Sequence, residues 1–311
     1  MDRDIWVLVT KAVECACRQV RGTHRKLKFG DELIVKMYLW SVWHDRCLSW
    51  ACDSCHYGNL FRPRKLPSIS QFTRRVGSPL FQTILGLVHV ELARDGFHSP
   101  VLMMDGKPIP VSPVSKDPDA RSGHITGGFA KGYKLHAVIS ECRKLVMWSV
   151  MPLNTAEQSV AMEMSSKLEQ GPPLSLMLAD SNYDSAPLHK VLGTKNRRLL
   201  TPLKGQKRVK NGVHHPVTQR QMGPLRREAV AVTKEHPDLV KYVLKQRNNI
   251  EGVFSVLTVA LHLSHAPAWV RGTTRVRRWA GAKIILYNAR VDAQKKLAAQ
   301  RATPAPETLV A

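Results

Sequence analysis

The chain has 311 residues, and 47 lysines and arginines against 24 aspartates and glutamates leave a formal net charge of +23, with 43% hydrophobic residues, enough to bury a core, so a wholly disordered chain is excluded. The sequence pI near 10.1 favours a polyanionic partner, nucleic acid first, because phosphate contacts supply most non-specific affinity. No apolar run approaches the ~18 residues of a membrane span and the charged N-terminus is unlike a signal peptide, so no membrane partner and a cytoplasmic, nucleoid-associated location are expected.

Residues 1–98 read as a mainly helical region. In DELIVKMYLWSVWHD, Ile34, Met37, Tyr38, Ser41 and Val42 recur at helical spacing, with Asp31 as a cap. A turn-rich stretch follows over 53–67. Ser68 can cap a short helix holding Phe72, Arg74 and Arg75, and a second helix is predicted over 79–93. Short helices with a basic face suit a reader of the major groove, which makes Arg74 and Arg75 candidate DNA contacts; a solvated basic face fits equally well. Six cysteines without a secretory signal imply reduced thiols. Cys52 and Cys55, with Cys47, His44 and His56 nearby, raise the question of zinc. No second Cys-x-x-Cys pair completes a four-ligand set, and cysteines packed beside Trp43 and Trp50 are the plainer reading.

The texture changes near residue 100. VLMMDG is an apolar run closed by Asp105 and Gly106, and residues 128–140 and 144–153 read as strands joined by a polar turn. Thr155 is placed to cap a helix over 156–168. The Pro172, Pro173 break leads into LSLMLAD, a buried strand closed by Asp180; SAPLHKVLG is a short helix and RRLLTPL a last strand. Hairpin strands followed by strand–helix alternation predict a mixed α/β domain. Residues 204–238 lack a clear period and read as a basic inserted loop, with Lys207 and Arg208 among its cations. Its scarcity of aromatic residues favours contact with DNA backbone over base stacking. A long helix is predicted over 239–263, then a further basic helix with Arg271, Arg275, Arg277 and Arg278, then the apolar run AGAKIILYNARV. The expected divisions are thus a helical region over 1–98, a catalytic domain over 99–295 with its insertion at 204–238, and a disordered tail over 296–311.

Asp105 and Asp180 each close a buried run, and in α/β sheets chemistry gathers where strands end. Acids held there by rigid strands can bind hard divalent cations through oxygen. Glu251 sits at the edge of the helical stripe Val243, Ile250, Val253, Phe254 and Leu257, with Arg247 one turn before it on the same face; a surface ion pair is the rival reading. Three carboxylates suit a pair of Mg²⁺ ions about 3.5–4 Å apart that clamp an in-line displacement at phosphorus. Lys134 and His136 share a strand face, as phosphate contacts or as packing residues. Asp184 reads as a helix cap and Tyr183 as a core or strand-end residue.

These segments carry a resemblance. MMDGKPIPV, FAKGYKLHAVIS with Gly132, Lys134 and His136, LADSNYDS with Tyr183 and Asp184, RNNIEGVFSVLT with Arg247, Glu251 and Phe254, and RRWAGAKIILYNA together resemble the DDE transposases of bacterial insertion sequences, in the insertion-sequence-four/five-like group, over roughly residues 100–290. The resemblance implies a ribonuclease-H-like α/β core, a mixed sheet with flanking helices, preceded by a mainly helical DNA-binding region. It implies Asp105, Asp180 and Glu251 as catalytic and metal-binding residues, Mg²⁺ or Mn²⁺ as two ions per site, double-stranded DNA (transposon ends and target) as substrate, and a homodimer on DNA. The activity implied is cleavage at terminal inverted repeats and joining of the 3′-OH ends to target DNA. Leu244 and Thr258 depart from one subgroup, which has Tyr and Lys there, and put that subgroup's hairpin chemistry in doubt. The rivals are a nuclease of the same fold and a catalytically silent DNA-binding derivative; the presence of all three acids argues against the latter.

Overall fold

The computed structural model describes residues 2–20, 27–203 and 222–302. The chain divides into two units, Met1–Leu92 with Gly281–Ala311, and Ala93–Ala280. Residues 281–295, which the sequence suggests as the end of the catalytic domain, therefore group with the N-terminal unit; there the buried ammonium of Lys283 pairs with Asp45.

In the first unit, helices α1 (Asp2–Gln19), α2 (Asp31–Trp43) and α3 (Ile69–Val76) form, and α4 (Pro79–Phe97) begins. Its core is aromatic: the Trp6 ring lies 5.0 Å from Trp40, 5.8 Å from Trp43 and 5.3 Å from Phe61, centroid to centroid. Asp31 does not cap α2. Gly30 takes that position and the Asp31 carboxylate accepts from Arg75 at 2.5 Å. Ser68 does cap α3, in a reciprocal box with Gln71. Helix α4 runs past the expected end near residue 93 to Phe97.

The second unit is built on strands β1 (Val101–Pro110), β2 (Arg121–Ile125), β3 (Gly128–Ser140), β4 (Leu145–Pro152), β5 (Ser175–Leu178) and β6 (Arg197–Leu200), with α5 (Glu157–Ser166) and α6 (Ala186–Thr194) between them. The sheet order is β2-β3-β1-β5-β6, with β4 also on β3. β1 is antiparallel to β3 and parallel to β5, and β5 is parallel to β6. This is a mixed sheet with flanking helices. β2 and β4 share one edge of β3, β2 pairing with residues 128–132 and β4 with 133–139. The sequence gives no sign of β2, because RSGHI has no apolar alternation; only Gly123 is buried, and a Cβ there would lie 2.7 Å from the Leu153 carbonyl oxygen.

Alternation along the strands assigns the faces. Leu102, Met104 and Val138 join Val160, Ala161 and Met164 of α5 and Leu188 and Leu192 of α6 in one core cluster. Asp105 is turned from that face toward the other.

The rest of the unit departs from expectation. Residues 224–245, mostly expected as loop, are helical: α7 (Pro224–Glu235) and α8 (Pro237–Lys245). α7 buries no residue and α8 only Val240, so neither contributes more than one side chain to the core. The single helix expected over 239–263 is α8 followed by α9 (Asn248–Val259). Pro237 fixes the start of α8, since its ring sets φ and it has no N–H to satisfy. α9 lies against β1 and buries Ile250, Val253, Phe254 and Leu257. The basic helix and the apolar run after it are one helix, α10 (Thr273–Ala302), so residues 296–302 are helical; 303–311 lie outside the described residues. Asp119 accepts from the Thr273 N–H at 2.8 Å, and buried Asp117 accepts from Gly272 N–H and the Tyr133 hydroxyl, together fixing the start of α10. Among the described residues no single helix is long and apolar enough to cross a membrane.

Candidate metal and nucleic-acid site

β1 does not end at Asp105. Its pairing with β3 continues to Pro110 opposite Gly132, which places Asp105 mid-strand across from Ala137. The expectation of a strand-end acid is corrected there. Asp105 Oδ1 accepts from the Gly106 N–H at 2.7 Å. Asp180 does lie just past its strand, at the head of a short 3₁₀ turn, where Oδ1 accepts from Asn182 N–H at 2.8 Å. β1 and β5 are adjacent, so both acids come from neighbouring strands.

Glu251 lies in the first turn of α9, and Arg247 heads that helix. The Arg247 guanidinium bridges two acids: Nη1 is 3.4 Å from Asp105 Oδ2, and Nη2 is 3.6 Å from Glu251 Oε1. Burial pushes the Asp105 carboxyl up to about 6; Asp180 and Glu157 add to the rise, while the Gly106 N–H and Arg247 oppose it. A buried acid raised in this way gains from added positive charge, and a hard divalent cation with oxygen ligands supplies it. The acids are not a closed cage. Among the described residues, Asp53, Cys55 and His56 are the one group of three whose ligand atoms all lie within 4.8 Å of one another. That group does not include Cys47, which contacts Ser49, or Cys52, whose thiol meets the Leu48 carbonyl.

The face of the sheet beside α5 carries a second charged cluster. Lys134 Nζ is 2.6 Å from Glu157 Oε1, and the pair lies over Gly106, where a Cβ would come 3.0 Å from Lys134 Cδ and 3.5 Å from Glu157 Oε1. His136 is only 1% exposed, and neither ring nitrogen has a hydrogen-bond partner. Burial lowers its pKa to about 4, with Lys134 adding and Glu157 opposing. The expectation that His136 touches DNA phosphate is corrected: its imidazole is neutral and inside. Tyr183 is buried as expected; its hydroxyl also lacks a partner, and burial holds its pKa far up. Asp184 caps no helix; it binds Arg226 and His189. Sequence reasoning missed Glu157, because an acid in a first helical turn is common for helix-dipole reasons alone.

Of the other candidates, Arg74 is exposed on α3 and Arg75 is committed to Asp31 and the Phe29 carbonyl. Lys207 and Arg208 lie outside the described residues.

The family model described as "Transposase DDE domain" matches residues 96–289. The chain belongs to this transposase family. It is thus a transposase, an enzyme that cleaves DNA and transfers strands, of a family that generally uses divalent metal ions. No curated protein matches the transposase. Among solved structures it is similar to a chain of the "Cryo-EM structure of piggyBac transposase synaptic complex with hairpin DNA", with 10% identity, covering 96% of this chain and 74% of that one, at a TM-score of 0.49.

Proposed function

We propose that this transposase binds the terminal inverted repeats of its element, cleaves at the element ends, and joins the freed 3′-OH ends to target DNA at a site where Asp105, Asp180 and Glu251 hold two Mg²⁺ (or Mn²⁺) ions. The observation that carries this reading is the bridge from Arg247 to Asp105 and Glu251, beside Asp180. A cationic group already stands where the carboxylate charges converge. When bound, the two ions make water or a 3′-OH nucleophilic near neutral pH and stabilise the departing oxygen.

The protein's share is placement. β1, paired with β3 through Asp105 and beyond it, holds that residue rigidly, and the Asn182 contacts fix Asp180. Arg247 sets Glu251 relative to Asp105. Lys134, at the same sheet, supplies a point charge for a phosphate. The N-terminal helical region recognises the ends, with exposed Arg74 against the backbone, while the sheet-bearing unit Ala93–Ala280 cuts and joins. Lys207 and Arg208 grip the backbone electrostatically. An element has two ends, so the working complex is a homodimer on DNA, at the nucleoid in the cytoplasm.

The test is cleavage of a duplex bearing the terminal repeat, in Mg²⁺, by wild type and Asp105→Ala, with binding measured in parallel. Binding without cleavage in the variant supports the reading. Retained cleavage removes Asp105 from the mechanism.

A further inference from the structure

Two single-turn 3₁₀ helices, Trp50–Cys52 and Ser54–His56, follow α2 in the N-terminal unit. They bring three kinds of ligand together. The Asp53 carboxylate, the Cys55 thiol and the His56 imidazole each offer one atom, and these atoms all lie within 4.8 Å of one another. A tetrahedral zinc ion, about 2.0–2.3 Å from each ligand, holds such atoms about 3.5 Å apart. Asp53 and Cys55 are exposed, so rotation of their side chains closes the difference.

The imidazole is already prepared. His56 Nδ1 stands 2.8 Å from the Trp50 carbonyl oxygen. A carbonyl only accepts, so Nδ1 carries the proton of the neutral ring and the lone pair lies on Nε2. Metal-ligating histidines are held in this way, one nitrogen donating to a carbonyl while the other faces the ion. The Trp50 ring stacks on the imidazole at 4.4 Å and 13°, and Trp40 Nε1 donates to the His56 carbonyl at 3.0 Å. Ring and backbone are therefore fixed from outside the group. The Cys55 N–H donates to Asp53 Oδ1 at 3.0 Å, which orients the carboxylate and leaves Oδ2 for a cation.

The donor set selects the ion. Mg²⁺ and Ca²⁺ take oxygen ligands, whereas a thiolate with an imidazole suits Zn²⁺ and its transition-metal neighbours. Three protein ligands on an exposed turn leave the fourth position to water.

We propose that Asp53, Cys55 and His56 bind one Zn²⁺ ion, independently of the acid site in the other unit. On binding, the Cys55 thiol gives its proton to solvent and the sulfur–zinc bond forms; nothing is oxidised or reduced. The ion ties Asp53 to His56 and stiffens the turn through which the chain passes from α2 toward the Ser68 cap of α3.

The test uses the full-length protein stripped of metal, with Co²⁺ as the spectroscopic probe and Zn²⁺ as its competitor. The wild type gives a thiolate-to-cobalt charge-transfer band that saturates at one ion per chain and is erased by Zn²⁺. Cys55→Ser, at an exposed position, removes the band without lowering the metal-free melting temperature. His56→Gln weakens Zn²⁺ binding by about tenfold or more, the range that loss of a metal-site partner produces. Asp53→Asn, also exposed, gives the same loss should His56→Gln fail to fold. Cys47→Ser, Cys52→Ser and Asp105→Asn keep the band. No thiolate band in the wild type overturns the proposal, and so does a band that survives Cys55→Ser.

Discussion

Arg226 forks onto Asp184, its Nε 2.8 Å from Oδ1 and its Nη2 2.7 Å from Oδ2, while His189 Nε2 stands 3.4 Å from Oδ1. Asp184 follows the Asp180 turn, and Arg226 lies in α7, so this pair ties the helix that follows the basic segment to the β5–α6 connection. The Asp184 side chain is 5% exposed and that of Arg226 15%, so the carboxylate is buried and its partner partly so. Asp184→Ala strands the Arg226 charge and costs about 3–5 kcal/mol of stability, read as a fall in denaturation midpoint. Burial alone would raise the Asp184 carboxyl, but the His189 and Arg226 hydrogen bonds and charges outweigh it and hold it at about 2. A depressed folded value gives stability that is present above the unfolded pKa of about 3.9 and is lost as pH falls toward the folded one. Acid titration of Asp184→Asn therefore lacks the part of the stability loss that wild type shows between those values.

Asp105 has the opposite sign. Burial, with Asp180 and Glu157, raises it to about 6 in the folded protein. The folded state then binds more protons than the unfolded chain between about pH 4 and 6, so the metal-free protein loses stability as pH rises through that window. Asp105→Asn removes that slope and melts higher than wild type at pH 7 without metal. An unchanged pH profile in the variant contradicts the assignment.

Arg247 holds two acids with one planar group, at 3.4 Å and 3.6 Å. A lysine offers a single point charge and cannot reproduce that fork. Arg247→Lys therefore fails to restore cleavage lost in Arg247→Gln, both falling on the order of tenfold or more as a supporting-shell defect does. Full activity in Arg247→Lys shows that charge alone suffices.

Lys207 and Arg208 are tested by salt. Each phosphate contact contributes about 0.9 to the slope of log binding constant against log salt, so replacing both with glutamine flattens the slope by about 1.8. A slope equal to wild type removes them from the interface.

The main strands of the sheet and the α9 helix were legible because their signals are local. Buried runs closed by Asp105 and Asp180 show as apolar letters, and the Glu251 helix has a stripe that buries Ile250, Val253, Phe254 and Leu257. Long-range pairing was not legible. That β1 passes through Asp105 depends on β3 reaching Gly132 opposite Pro110, and β2 exists only because β3 offers it an edge. α7, expected as part of a basic loop, is a helix that buries none of its residues. Glu157 and His136 acquire their character from contacts across the fold, Lys134 in one case and burial in the other, and strand alternation could say only that Lys134 and His136 share a face.

The most direct test is cleavage of a terminal-repeat duplex in Mg²⁺ by wild type and Glu251→Gln. The Glu251 side chain is 64% exposed, so the substitution leaves the core intact and its effect reads on chemistry. Cutting by wild type, with binding but no cutting by the variant, is the predicted result. Equal cutting by both proteins would contradict the three-acid site.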